Sequence, residues 1–403
     1  MPTAHRAVRA ASCLLVALWA GACTPALERA TPVPATPAPK DSLELSLFLI
    51  GDAGGRAYQN EPVLQEFARQ SDSLRRVRRF VVFLGDNVYP KGIPPVGDPT
   101  RVDAELRLAA QIAAIRQGGA KGLLVPGNHD WERQGRDGWN AIRRQDSLAR
   151  RFGRGDVKLL PGGGCPGPVV MDVSRHIRLI ALDTEWWVHN DVKPYGDSSP
   201  CPTRTYKDVV DSLRGALRDK GDRHAIILTH HPIRTGGVHG GAFHWTDHVF
   251  PLRVLESWLW IPLPIIGSIY PLSRQLGVSN QDINGKKYKA MRRAFEEVFH
   301  QYPPLVYASG HDHDLQVFRG GRAESSSAKY LLISGAGIVG HESLVHAKEG
   351  SLFEREAAGF MRLDVTTDGR VRLSVTTVTP AAAHREGESN EVYSLWLTQD
   401  ISF

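Results

Sequence analysis

Five short polar clusters in this 403-residue chain carry oxygen and imidazole donors, and each follows directly on a short apolar run. Leu47-Phe48-Leu49-Ile50 exits into Gly51-Asp52-Ala53-Gly54, and Phe80 to Leu84 exits into Gly85-Asp86-Asn87-Val88-Tyr89. The third run opens into Gly127-Asn128-His129-Asp130, the fourth into Thr229-His230-His231, and the fifth into Gly310-His311-Asp312-His313. Carboxylate, amide, phenol and imidazole are metal-ligand types, and the ends of strands are where α/β sheets hold chemistry. One cluster alone reads as a turn or as an ordinary hydrogen-bonded histidine. Five in succession point to a common site.

The order of the clusters carries more than their composition. Asp, Asp with Tyr, Asn-His, His and then His-x-His resembles the signature of the calcineurin-like metallophosphoesterases, over roughly Leu43 to Gly337. Tyr89, three positions after Asp86, stands where the purple acid phosphatases place a phenolate ligand, and the small single-domain members of that group are the nearest comparison. The resemblance implies that Asp52, Tyr89 and His313 hold ferric iron. It implies that Asn128, His230 and His311 hold a divalent ion (zinc, manganese or iron), and that Asp86 bridges the two. Hard carboxylate and phenolate oxygens suit a trivalent ion, whereas imidazole and amide donors suit the divalent one. His311 and His313, two residues apart on a strand or extended turn, would project the same way and reach adjacent metals. A reading in which Tyr89 only packs against Pro90 stays open.

In such enzymes the ion pair clamps a phosphate and supplies a metal-bound hydroxide as nucleophile. No GxSxG elbow and no glycine-rich loop ending in Gly-Lys-Ser or Gly-Lys-Thr competes for the role. The resemblance gives His129 and His239 contact with the phosphate, with His239 as general acid. His239 is flanked by Gly236, Gly237, Gly240 and Gly241, so a surface histidine is the alternative reading, with His231 and His244 as nearby substitutes. Asp130 reads as an acceptor that orients a neighbouring histidine.

Around these clusters, β-branched runs alternate with amphipathic segments, which makes the fold α/β. Strands are expected at Leu43 to Ile50, Phe80 to Leu84, Gly122 to Val125, Ile177 to Leu182, Ala225 to Leu228, Leu305 to Ala308, Tyr330 to Ile333, Phe360 to Val365 and Val371 to Thr377. Helices are expected at Glu61 to Arg79, Thr100 to Gln117, Trp139 to Arg151, Thr205 to Asp219 and Lys286 to His300, with Thr100 as an N-cap. The later strands, no longer separated by helices, add antiparallel pairing. The resemblance implies a sandwich of two sheets flanked by helices.

An apolar insertion at about 245–285 departs from the family and contains Trp258-Leu259-Trp260 and two prolines, so it cannot be one spanning helix. It reads either as packed on the domain or as a lid bordering the site or a membrane interface. Trp186 and Trp187 read as pocket walls or core.

Residues 1–22, with His5, Arg6 and Arg9 ahead of apolar Ala10 to Ala22, read as a signal peptide. Cys23 follows Ala20-Gly21-Ala22 as in a bacterial lipoprotein, which makes it the lipidation site; ordinary secretion is the alternative. The Pro/Ala-rich stretch 23–40 is a tether, and the metallophosphoesterase domain runs over 41–403. Of the three cysteines left after processing, lipidation of Cys23 frees Cys165 and Cys201 to pair as a disulfide, unless both are reduced bystanders. The charge of +6 is carried largely by arginine clusters such as Arg75, Arg76, Arg78 and Arg79 on an expected helix face. That speaks for anionic substrates or an anionic membrane and against nucleic-acid binding.

Three functions follow: a phosphomonoesterase, a phosphodiesterase or nucleotide or lipid pyrophosphatase with the same metals, and a catalytically silent surface binding protein. Motifs do not separate the first two or set the oligomeric state. The third predicts lost ligands, yet all seven stand in place.

Overall fold

The computed structural model describes residues 35–55, 60–250, 252, 258–263, 267–321, 326–379 and 389–398. Residues 1–22, Cys23 and most of the tether lie outside the described residues.

Alternation in the first strand, β1 (Leu43–Ile50), dictates the layering. Leu45, Leu47 and Leu49 enter a core shared by two sheets, while Phe48 and Ile50 point into the helix-covered layer. β1 pairs in parallel with β2 (Arg78–Leu84), β2 with β3 (Lys121–Val125), and β3 with the short β4 (Val157–Leu159). On its other side β1 meets β12 (Gly359–Thr366) antiparallel, followed by β13 (Val371–Val378) and β14 (Ser389–Trp396). The second sheet places β6 (Ile177–Ala181), β7 (His224–Leu228), β8 (Val306–Ser309) and β10 (Tyr330–Ser334) in parallel. Antiparallel β5 (Val169–Asp172) closes one edge, and β9 (Leu315–Arg319) with β11 (Ser351–Arg355) forms the other. The fold is therefore α/β, two mixed seven-stranded sheets flanked by helices.

Helices α1 (Pro62–Asp72), α2 (Arg101–Gln117) and α3 (Gly138–Gly153) connect strands of the first sheet. Short α4 (Thr184–Val188), then α5 (Tyr206–Arg218), α6 (Trp245–Val249), α7 (Ile269–Gln275) and α8 (Lys286–Gln301) belong to the second half.

Two local expectations need correction. The helix expected over Glu61 to Arg79 stops at Asp72, because Arg78 and Arg79 are already paired with Leu45 and Ser46 in β2. The arginine cluster is thus split between a turn and a strand, and Arg79 donates to the carbonyls of Ser71 and Gly118. Thr100 precedes α2 without capping it; its own N–H and hydroxyl donate to Asp98, at 2.8 and 2.6 Å.

Cys165 and Cys201 form a disulfide. Trp186 and Trp187 are core, 0% and 6% exposed. Within the 245–285 stretch, Trp245 and Trp258 face solvent, whereas Gln281 and Asp282 turn inward. Among the described residues no helix is long and apolar enough to cross a membrane.

Candidate metal centre

Parallel strands from both sheets release their polar clusters at one end of the sandwich. β1, β2 and β3 deliver Asp52, Asp86 and Asn128; β7 and β8 deliver His230 and His311. Asp52, Asp86 and His311 take left-handed backbone conformations, φ 58°, 51° and 74°. Such strain at non-glycine residues persists only where the surroundings enforce it. His311 is therefore not in the extended conformation that the sequence suggested.

The donor atoms form two groups. In the first, the Tyr89 hydroxyl lies 3.1 Å from Asp52 Oδ1 and 3.1 Å from His313 Nε2, and His313 Nε2 lies 3.6 Å from Asp52 Oδ1. In the second, Asn128 Oδ1 lies 2.9 Å from His230 Nε2 and 3.2 Å from His311 Nδ1, and those two nitrogens are 3.2 Å apart. Asp86 joins the groups: its Oδ1 is 3.4 Å from His230 Nε2, and its carboxylate also reaches the Tyr89 hydroxyl. Asp52, Asp86 and His230 present donor atoms within 4.8 Å of one another. The two histidines of the fifth cluster thus go to different groups.

Hydrogen-bond polarity shows what this arrangement lacks. His230 donates Nδ1–H to the Leu84 carbonyl at 2.8 Å, which leaves a lone pair on Nε2. His311 donates Nε2–H to the Gln281 carbonyl at 2.8 Å, which leaves a lone pair on Nδ1. Those lone pairs and Asn128 Oδ1 converge with no proton among them. A cation bonding at about 2.1 Å holds neighbouring donors about 3 Å apart, so the donor set fits a bound metal ion.

Electrostatics agree. Burial, reinforced by Asp86, pushes the Asp52 carboxyl well above the usual range. Burial would also raise Asp86, but His230 and His129 outweigh it and hold the group down to about 2. Burial, with Asp52 and Asp86, pushes the Tyr89 phenol up. Burial keeps His230, His311 and His313 below the ordinary imidazole range. Crowded acids beside imidazoles whose charged forms burial disfavours are a site short of positive charge.

Glycines make the close approach possible. A Cβ on Gly85, φ 93°, would sit 2.3 Å from His230 Nδ1.

A family model of the calcineurin-like phosphoesterases matches residues 45–315. The chain belongs to the calcineurin-like phosphoesterase family. Among curated relatives of this phosphoesterase are two proteins of Arabidopsis thaliana. Purple acid phosphatase 3 is 23% identical over 215 residues, 52% of this chain and 53% of that protein. Purple acid phosphatase 4 is 23% identical over 227 residues, 53% and 60% of the respective chains. The chain spans between half and two thirds of the length of these relatives. A solved structure with the same fold, GAP50, the anchor in the inner membrane complex of Plasmodium, covers 88% of each chain at 17% identity with a TM-score of 0.52.

Around the phosphoesterase donors stand residues of other kinds. His129 donates its backbone N–H to Asp86 Oδ1 at 2.9 Å and aligns Nδ1 with the Pro90 carbonyl at 2.8 Å. His239 stacks on His311 with ring centroids 3.7 Å apart, and its Nδ1 lies 3.0 Å from Asp282 Oδ1. His231 is buried between Thr184 and Gln281, and His244 is exposed at the start of α6, so neither replaces His239. Asp130 does not orient a histidine; it accepts N–H groups from Asn87, Val88 and Gly127 and so braces the loop carrying Asp86.

Of the two readings of the 245–285 stretch, the described residues 269–282 favour the one that borders the site, although the sequence did not single out which of them do so. Tyr270, Ser273, Arg274 and Gln281 line a cavity of about 510 Å³ together with Asp86, Asn128, His129, His239 and His311. Arg274 holds Asp282 through Nε at 3.0 Å, and the pair steadies His239. His341, stacked on His313 at 4.0 Å, was also missed; no periodic pattern or spacing marks it.

Proposed function

We propose that this chain is a dinuclear metal-dependent phosphomonoesterase of the purple acid phosphatase kind. Asp52, Tyr89 and His313 would hold ferric iron; Asn128, His230 and His311 would hold a zinc, manganese or ferrous ion; Asp86 would serve both. The observation that carries this reading is the pair of converging donor groups joined through Asp86. When bound, the two ions would neutralise phosphate charge and bring the pKa of water toward neutrality.

The chain's own residues would do the rest. His129 and His239 flank the cavity and would donate hydrogen bonds to phosphate oxygens. His239 directs Nδ1 at Asp282, so that when both ring nitrogens carry protons Nε2–H would be the one given to the leaving alcohol, leaving Nδ1–H on Asp282. Tyr270 and Arg274 would border the leaving group.

GAP50 is by name an anchor, and a binding-only role is the rival from another class. Converging, unneutralised donors favour catalysis over it. For the N-terminus we keep a leader over 1–22, a lipidated Cys23 and a tether over 23–40, with export to a bacterial envelope. The Cys165–Cys201 disulfide supports an oxidising compartment.

The test is metal content by mass spectrometry with turnover of p-nitrophenyl phosphate and its bis ester, on wild type and Asp86→Asn. Two metals per chain and faster monoester cleavage are expected, with activity falling about 10³-fold in the variant. Faster diester cleavage would replace the monoesterase with a phosphodiesterase or pyrophosphatase. A metal-loaded but inert chain would favour binding alone, and a metal-free chain would overturn the reading.

A further inference from the structure

Glu185 is fully buried, lies outside all five clusters, and is the end point of a hydrogen-bond network with a single consistent polarity. The Thr184 hydroxyl meets His231 Nδ1 at 2.9 Å, and His231 Nε2 faces Gln281 Oε1 at 2.9 Å. The Gln281 amide in turn donates to Glu185 Oε2 at 2.8 Å. Glu185 Oε1 accepts from Gln134 Nε2 at 3.0 Å and from His189 Nδ1 at 3.3 Å. Each donor in this series points toward the carboxylate.

Gln281 links this network to the metal donors. Its side chain is clamped between His231 and Glu185, and its backbone carbonyl accepts the Nε2–H of His311 at 2.8 Å. That bond fixes both the tautomer and the ring plane of His311, and so aims Nδ1 at Asn128 and His230. Among the described residues, the side chains of Asp52, Tyr89 and His313 make no hydrogen bond to Glu185 or Gln281; Asp52 Oδ2 instead accepts the backbone N–H of His311 at 2.8 Å. We propose that Glu185 is a positioning residue for the Asn128, His230 and His311 half of the centre. It acts through Gln281, whose backbone carbonyl meets His311 directly. The inference rests on the dinuclear reading above. Its physical basis is that the outer hydrogen-bond partner of a ligating imidazole sets ligand geometry and basicity, and its loss weakens metal affinity about 10–100-fold.

The test uses the full chain with Glu185→Ala, Glu185→Gln and Gln281→Ala. Zinc affinity is measured by chelator competition on metal-free protein, the iron half by its visible band, and the fold by melting of the metal-free form. The expected result is a drop of about 10–100-fold in zinc affinity for Glu185→Ala and Gln281→Ala, with the visible band and iron content kept. Glu185→Gln, which keeps the shape and one acceptor oxygen, should recover most of the affinity. Unchanged zinc affinity in both alanine variants overturns the proposal, as does an equal loss from both halves. Should Glu185→Ala fail to fold, Gln281→Ala, which is only partly buried, decides alone. A wild-type chain that binds no metal would instead defeat the dinuclear reading, so the two failures are distinct.

Discussion

The Tyr89 hydroxyl stands 3.1 Å from Asp52 Oδ1, a phenol set against a buried carboxylate. Burial and that carboxylate together push the phenol's pKa up, so the side chain is a neutral donor until a cation arrives. On the proposed function, metal uptake at this pair would release the phenol proton.

Tyr89→Phe removes the phenol oxygen while leaving the ring that stacks edge-on to His129 at 4.3 Å. A broad visible band present in the iron-loaded wild type should vanish in this variant, with the melting temperature within a few degrees of wild type. A band that survives would return Tyr89 to a packing role.

Gly85→Ala should cost more than its size suggests. The new Cβ meets the His230 ring 2.3 Å from Nδ1, and the backbone there has φ 93°, a region that side chains avoid. Strain of about 1–3 kcal/mol is expected, with zinc affinity reduced by displacement of His230. Urea unfolding and chelator competition measure the two effects, and wild-type values in both would contradict the packing described.

Asp183 gives a pH dependence away from the metal donors. It accepts from the Trp131 indole at 2.9 Å and the Trp186 amide at 3.0 Å, and burial pushes its carboxyl up to about 8. The folded chain thus keeps a proton that the unfolded chain releases near pH 4. The resulting stability is whole below that lower value and is lost as pH rises through 8, by up to about 1.4 kcal/mol per unit. Urea unfolding from pH 5 to 8 should show a steeper decline for wild type than for Asp183→Asn. Parallel slopes would return Asp183 to the ordinary range.

The Cys165–Cys201 disulfide closes a loop with a sequence separation of 36. On a chain-entropy model its removal costs about 3–4 kcal/mol. Cys165→Ser should lower the midpoint of urea unfolding accordingly, and an unchanged midpoint would mean that the bridge does not constrain the unfolded chain.

The sequence by itself determined the donors and the layers. Strand exits at Asp52, Asp86, Asn128, His230 and His311 are local facts, because an apolar run followed by glycine or another polar, turn-forming residue fixes where a strand ends. Alternation in Leu45 to Ile50 likewise assigns each side chain to a face. Three- and four-residue edge strands such as Val157–Leu159 and Val169–Asp172 are too short to show a period, and they went unread. The end of α1 at Asp72 was hidden because Arg75 to Arg79 continues a helical polarity pattern, while pairing with β1 claims Arg78 for a strand. Only the tertiary structure decided that Gln281, about 30 residues from His311, supplies the carbonyl that selects its tautomer, and that a glutamate on α4 holds Gln281 in place. A hydrogen bond between distant segments depends on where loops cross in space, and such crossings leave no spacing in the chain to be read.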